Sequence, residues 1–123
     1  MFKIDTKDSF SIFHLSEEEI TENMSDNLKN ALAKNRNEKP GNLILTLPEE
    51  GSLSPSFIED MKRIQADYSK ENLSFILAPV PAEREKKFSA IRELNHTPTL
   101  KEAIDMLMME VLERDLLGPD SAS

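Results

Sequence analysis

Three serines stand around the start of one segment and carry most of the chemistry that the sequence offers. Ser52, Ser54 and Ser56 follow Gly51 in GSLSPSFIEDMKRI, just after an apolar run (Leu43, Ile44, Leu45, Leu47) that stops at Pro48. A serine at a helix N-terminus can accept a hydrogen bond from a first-turn amide. It can also carry a phosphate where the helix dipole favours negative charge. Ser54 before Pro55 has the pattern of an N-cap with proline at the first helical position. Ser56 and Glu59 offer a competing capping box two residues on. Phe57, Ile58, Met61 and Ile64 then share one helical face, which leaves Glu59, Asp60 and Arg63 for the other. The candidate partner-binding surface is therefore Gly51, Ser52, Ser54, Ser56, Glu59, Asp60 and Arg63.

The remaining reactive side chains are scattered. His14 and His96 are far apart and belong to no spaced ligand set, so no metal site is expected. Glu49 and Glu50 are neighbours in a polar break, where two solvated carboxylates are the ordinary outcome. No motif arranges a histidine and an acid around any serine, and no thiol exists to act as a nucleophile. An enzyme is not expected, and neither is a cofactor.

Composition narrows the classes further. The chain has 123 residues, no cysteine, and 23 acidic against 15 basic residues, for a formal charge of −8. That length supports one domain with its own core. The acid excess opposes nonspecific binding to nucleic acid or anionic lipid, and suits a basic partner surface. No apolar run approaches the roughly 18 residues of a membrane span. The N-terminus lacks a signal-peptide pattern, and the absence of cysteine fits a reducing compartment, so a cytoplasmic location is expected.

Several elements must hold the serine turn in place. Alternation of Phe2 and Ile4 with polar residues, then Phe10, Ile12 and Phe13, predicts a hairpin with His14 as a strand-edge residue. Ser16 and Glu19 predict a capping box that opens one helix with the stripe Ile20, Met24, Leu28, Ala31 and Leu32, ended by Pro40-Gly41. LSFILAPV (73–80) reads as a second buried strand after the central one. A helix over about 82–94 follows, its first half covered by solvated charges, and residues 95–98 have room for a brief edge strand. Thr99 and Glu102 predict another capping box for a final helix whose apolar residues exceed one stripe. Met108 and Leu112 on that helix are the candidate contact for an oligomer or partner. The predicted fold class is α/β, with a mixed sheet of about four to five strands and four helices. The domain is expected to span 1–117, with a disordered tail at 118–123.

The order of these elements resembles the STAS domain of anti-sigma factor antagonists and sulfate-transporter tails. The resemblance is carried by NLILTLPEEGSLSPSFIEDM, NLSFILAPVP and HTPTLKEAIDML, and it covers nearly the whole chain from Phe2 to about Leu117. The last of these is similar to the family's threonine-leucine-x-glutamate-alanine start to its final helix. The resemblance implies a cytoplasmic bacterial regulator of transcription that works by partner switching. Its partner would be an anti-sigma factor that is also a kinase, and a PP2C-type phosphatase would reverse the modification. The family's Asp-Ser-Ser-Gly turn falls on Leu53-Ser54-Pro55-Ser56, so Ser54 takes the place of the acceptor serine. Leu53, Pro55 and Ser56 depart from the pattern. A phosphate on Ser54 would meet no amide from Pro55, and Glu49 and Glu50 would repel its charge of about −1.5 to −2.

Three functions from different classes stay open on these residues. The first is a non-catalytic regulatory protein-binding module. The second is a STAS-like domain that binds a nucleotide or lipid at the loop-to-helix junction, although one glycine and two acids there make a poor phosphate cradle. The third is a structural homodimer joined through the final helix.

Overall fold

The computed structural model describes residues 2–49 and 51–117. The expected disordered tail lies outside the described residues. Four strands form one mixed sheet: β1 (Lys3–Thr6), β2 (Ser11–His14), β3 (Leu43–Thr46) and β4 (Phe75–Ala78), in that spatial order. β1 runs antiparallel to β2, while β2, β3 and β4 are mutually parallel. His14, Thr46 and Ala78 are register partners in one row at the C-terminal ends of the parallel strands. Residues 95–97 add a short fifth edge. His96 bridges Leu77 in parallel, and the Leu77 and Thr97 amides donate to Asn95 and Leu77 carbonyls at 2.9 and 3.0 Å.

Strand periodicity of two decides which helix covers which face. Phe13, Leu43, Leu45, Phe75 and Leu77 point to one side, where α2 (Asp26–Arg36) supplies Leu28 and Leu32 and α3 (Pro55–Lys70) supplies Phe57, Met61 and Tyr68. Ile12, Ile44, Ile76 and Ala78 point to the other side and pack on Ala103 and Leu107 of α5 (Leu100–Leu117). Every residue of β3 and β4 is buried. This is why both strands read as continuous apolar runs instead of alternating ones.

Among the described residues the α-helices are five and not four, and two of the expected helices break. The predicted helix from Ser16 divides into α1 (Glu17–Ile20) and α2. The carbonyl of Ile20 leaves the helical ladder to accept the Ser54 amide at 2.9 Å, and Ser25 Oγ then caps α2 through the Leu28 amide at 3.1 Å. The helix expected over 82–94 also breaks, into α4 (Ala82–Lys87) and a 3-10 turn (Ser89–Glu93). Phe88 leaves helical geometry at φ −124°, and Ile91 and Leu94 are buried beyond it. His14 is the last residue of β2, as expected, and β2 itself lies inside the sheet between β1 and β3. The capping box expected at Ser16 forms, with Glu19 Oε1 accepting from the Ser16 amide at 2.9 Å. At Thr99 one half of the expected box is present, the Glu102 amide donating to Thr99 Oγ1 at 3.1 Å.

Candidate functional site

β3 ends at Thr46, and its extension delivers Leu47 to the core before Pro48 turns the chain outward. Gly51 follows with φ +108°, a conformation that only glycine adopts without strain. A Cβ there would also come within 3.3 Å of the Ile20 Cδ1 and 3.4 Å of the Glu17 Cγ. Leu53 then plugs into the core, which orients the residues on either side of it. Ser52 is exposed, Ser54 is half-buried, and Pro55 and Ser56 are exposed.

Ser54 is an N-cap. Its backbone is extended (φ −66°, ψ 139°), its Oγ accepts from the Phe57 amide at 3.3 Å, and Pro55 is the first helical residue. The alternative start at Ser56 is not used. The cap satisfies one of the orphan amides of a 16-residue helix that has no acid in its first turn. Beside it a cleft of 420 Å³ opens against Pro55 and Ser56, with Lys29, Glu59, Asp60 and Arg63 on its walls. The serine turn is therefore accessible, and both cations there are paired with Asp60.

The helical face behind the turn differs from the predicted one in one respect. Glu59 and Arg63 are exposed as expected, but Asp60 is only 6 % exposed. Its carboxylate pairs with Arg63, accepts from the Met24 amide at 3.4 Å, and lies 3.8 Å from Lys29 Nζ. Asp60 therefore pins the α1–α2 connection to α3 and presents little to a partner. Two residues on, Lys62 bonds Glu93 and Glu59, and those hydrogen bonds raise its pKa. Met108 (42 % exposed) and Leu112 (59 %) lie on the outer face of α5, joined there by Met109 and Leu116.

Sequence reasoning missed a second cluster at the same end of the sheet. His14 Nε2 lies 2.9 Å from the Asp5 carboxylate and its Nδ1 lies 3.0 Å from Thr46 Oγ1, so the ring joins β1, β2 and β3. The His14 hydrogen bond holds the Asp5 carboxyl below its ordinary value of 3.8. Across the gap, Arg84 is 7 % exposed. The charge run of α4 conceals this in the sequence, because AEREKK reads as a solvated face throughout. Arg84 Nη1 donates to the carbonyl of Pro48 at 2.7 Å, with longer contacts to the Pro79 and Gly51 carbonyls at 3.5 Å. Burial lowers its pKa. Among the described residues no carboxylate pairs with it, and no group of three or more His, Asp or Glu could hold a metal ion.

The fold and the exposed turn define an α/β domain with a mixed sheet. No protein-family model matches the chain, and no curated protein sequence matches it. Among the described residues no helix is long and apolar enough to cross a membrane.

Proposed function

We propose that the chain is a non-catalytic regulatory module that docks on a protein partner through the turn 51–56 and the exposed N-terminal face of α3. The reading keeps the resemblance to anti-sigma factor antagonists, with an anti-sigma factor or switch kinase as partner and the cytoplasm as its setting. One observation supports it above the others: Ser52, Ser54 and Ser56 are all reachable from solvent at the N-terminus of a long helix whose cap is Ser54 itself. Phosphorylation of Ser54 would replace a neutral acceptor by one of about −1.5 to −2 charge next to the Phe57 amide. Gly51, Ser52, Ser56, Glu59 and Arg63 supply the contact surface, and Asp60 supports it from below.

Incubation with a cognate anti-sigma kinase and ATP, followed by peptide mass spectrometry, tests the switch. Phosphate on Ser54 and loss of the complex on modification are expected. A complex that survives Ser56→Arg with Glu59→Arg, together with an unmodified Ser54, would remove this surface from the mechanism.

The exposed apolar side of α5 favours a second reading, a homodimer joined through Met108 and Leu112. Light scattering on the wild type and on the Met108→Glu, Leu112→Glu pair separates the two, since only the dimer loses mass.

A further inference from the structure

After β3 the chain enters α3 on one face of the sheet, and after β4 it packs Val80, Ile91 and Leu94 on that same face, reaching α5 on the other face only beyond residues 95–97. The C-terminal ends of the parallel strands are where open α/β sheets take their ligands. A cavity of 740 Å³ lies here, within the range of small-molecule sites. Leu47, Pro79 and Leu100 give it apolar walls, and Thr46, His14 and Arg84 bring the polar atoms.

Arg84 sets the sign of the ligand. A guanidinium carries five N–H donors and no acceptor, and it stays charged in proteins. Among the described residues its short bond is the one to the Pro48 carbonyl, and no bond of its Nε is found. Arg84 lines the cavity, and among the described residues no carboxylate pairs with it. A buried cation is ordinarily paired with an anion. Three main-chain carbonyls hold the fork in position without neutralising it. The Thr46 hydroxyl and the His14 ring extend the polar side across the strand ends. Glu49 reaches the rim from an exposed position, where water screens its charge.

From this we infer that the strand-end cavity binds a small organic anion, with a carboxylate or phosphate head on Arg84 and an apolar body against Leu47, Pro79 and Leu100. The cavity is lined by residues other than 51–56 and meets the serine turn only through the long Arg84 contact to the Gly51 carbonyl, so its ligand can be tested apart from the docking surface.

Four probes decide it in amide chemical-shift titrations of the full chain: octanoate, octyl phosphate, inorganic phosphate and octanol. Octanoate or octyl phosphate is expected to give saturable shifts at Thr46, Leu47, Val80 and Leu100, with octanol and inorganic phosphate each at least about tenfold weaker. Whichever of the two acids binds more tightly identifies the head. Arg84→Gln is expected to weaken that probe about tenfold or more, in line with loss of a charge-assisted pair. Leu100→Trp narrows the cavity while leaving Arg84 in the sequence and is expected to abolish the shifts, which keeps the test sharp should Arg84→Gln unfold. Absence of saturable shifts up to about 10 mM of either acid overturns the inference. Equal binding of octanol, equal binding of inorganic phosphate, or undiminished binding in Leu100→Trp overturns it as well.

Discussion

The hydroxyl of Tyr68, on α3, donates to the main-chain carbonyl of Leu32, on α2, at 2.8 Å. The same oxygen accepts from Asn35 Nδ2 at 3.3 Å, and the ring packs against Phe75 with centroids 5.2 Å apart. Asn35 in turn donates to the Gly41 carbonyl at 3.0 Å, so one buried polar chain fixes the two helices that cover the inner face of the sheet.

Burial pushes the Tyr68 phenol up to about 12 from its ordinary 10.0. A folded value above the unfolded one means that the neutral form is favoured in the native state. The stability from this group is full below pH 10 and is lost as pH rises from 10 toward 12. The chain has one tyrosine and no tryptophan, so phenolate absorbance near 295 nm reports this residue alone. Titration should show a midpoint near 12, or one coincident with alkaline unfolding by circular dichroism. A midpoint near 10 in folded protein would contradict the burial. Tyr68→Phe should cost about 1–3 kcal/mol in urea unfolding, because the Asn35 and Leu32 groups lose a buried partner.

Ser54→Ala should lower stability by about 1 kcal/mol, the ordinary value of a lost N-cap. Ser54→Asp retains a side-chain acceptor and a charge that suits the helix N-terminus, so its unfolding midpoint should stay close to the wild type. Chemical denaturation of the two variants side by side checks both. Equal loss in each would mean that the hydroxyl matters for something other than capping.

The pairing of Asp5 with His14 has a pH signature. The Asp5 carboxyl lies below its ordinary 3.8, so its contribution to stability is present above pH 3.8 and is lost as pH falls through the lowered folded value. Carbon-detected NMR titration of Asp5 should give a midpoint under 3.8 in the wild type and close to it in His14→Ala. An unchanged midpoint in that variant would remove the hydrogen bond as the cause.

Glu59→Ala and Asp60→Ala, neighbours on α3, should part company. Glu59 is exposed and its removal should stay within about 0.5 kcal/mol of the wild type. Asp60 removal strands the Met24 amide and should cost about 1–3 kcal/mol. Thermal unfolding of the two distinguishes a surface contact from an internal pin.

The Met108→Glu, Leu112→Glu pair should leave the unfolding free energy within about 1 kcal/mol of the wild type, since both side chains already meet solvent on the outer face of α5. Binding of a hydrophobic dye should fall in the same variant. A large loss of stability would place these residues in the core after all.

Local signals in the sequence settled the elements and the faces they bury. Pro48 and the serine-proline pair bound the central strand and the start of α3, and the apolar runs 43–47 and 73–80 marked the strands that form over 43–46 and 75–78, covered on both sides. These features act over a few residues, where capping, proline geometry and periodicity dominate. Tertiary contact decided the rest. Ile20 gives up its helical carbonyl to Ser54, which breaks the first helix, and Asp60 turns inward to an amide 36 residues away. Arg84 is buried in a charge run because carbonyls from Pro48, Gly51 and Pro79 converge on it. No window of neighbouring residues contains those partners, and the energy of a polar group depends on what the fold brings to it.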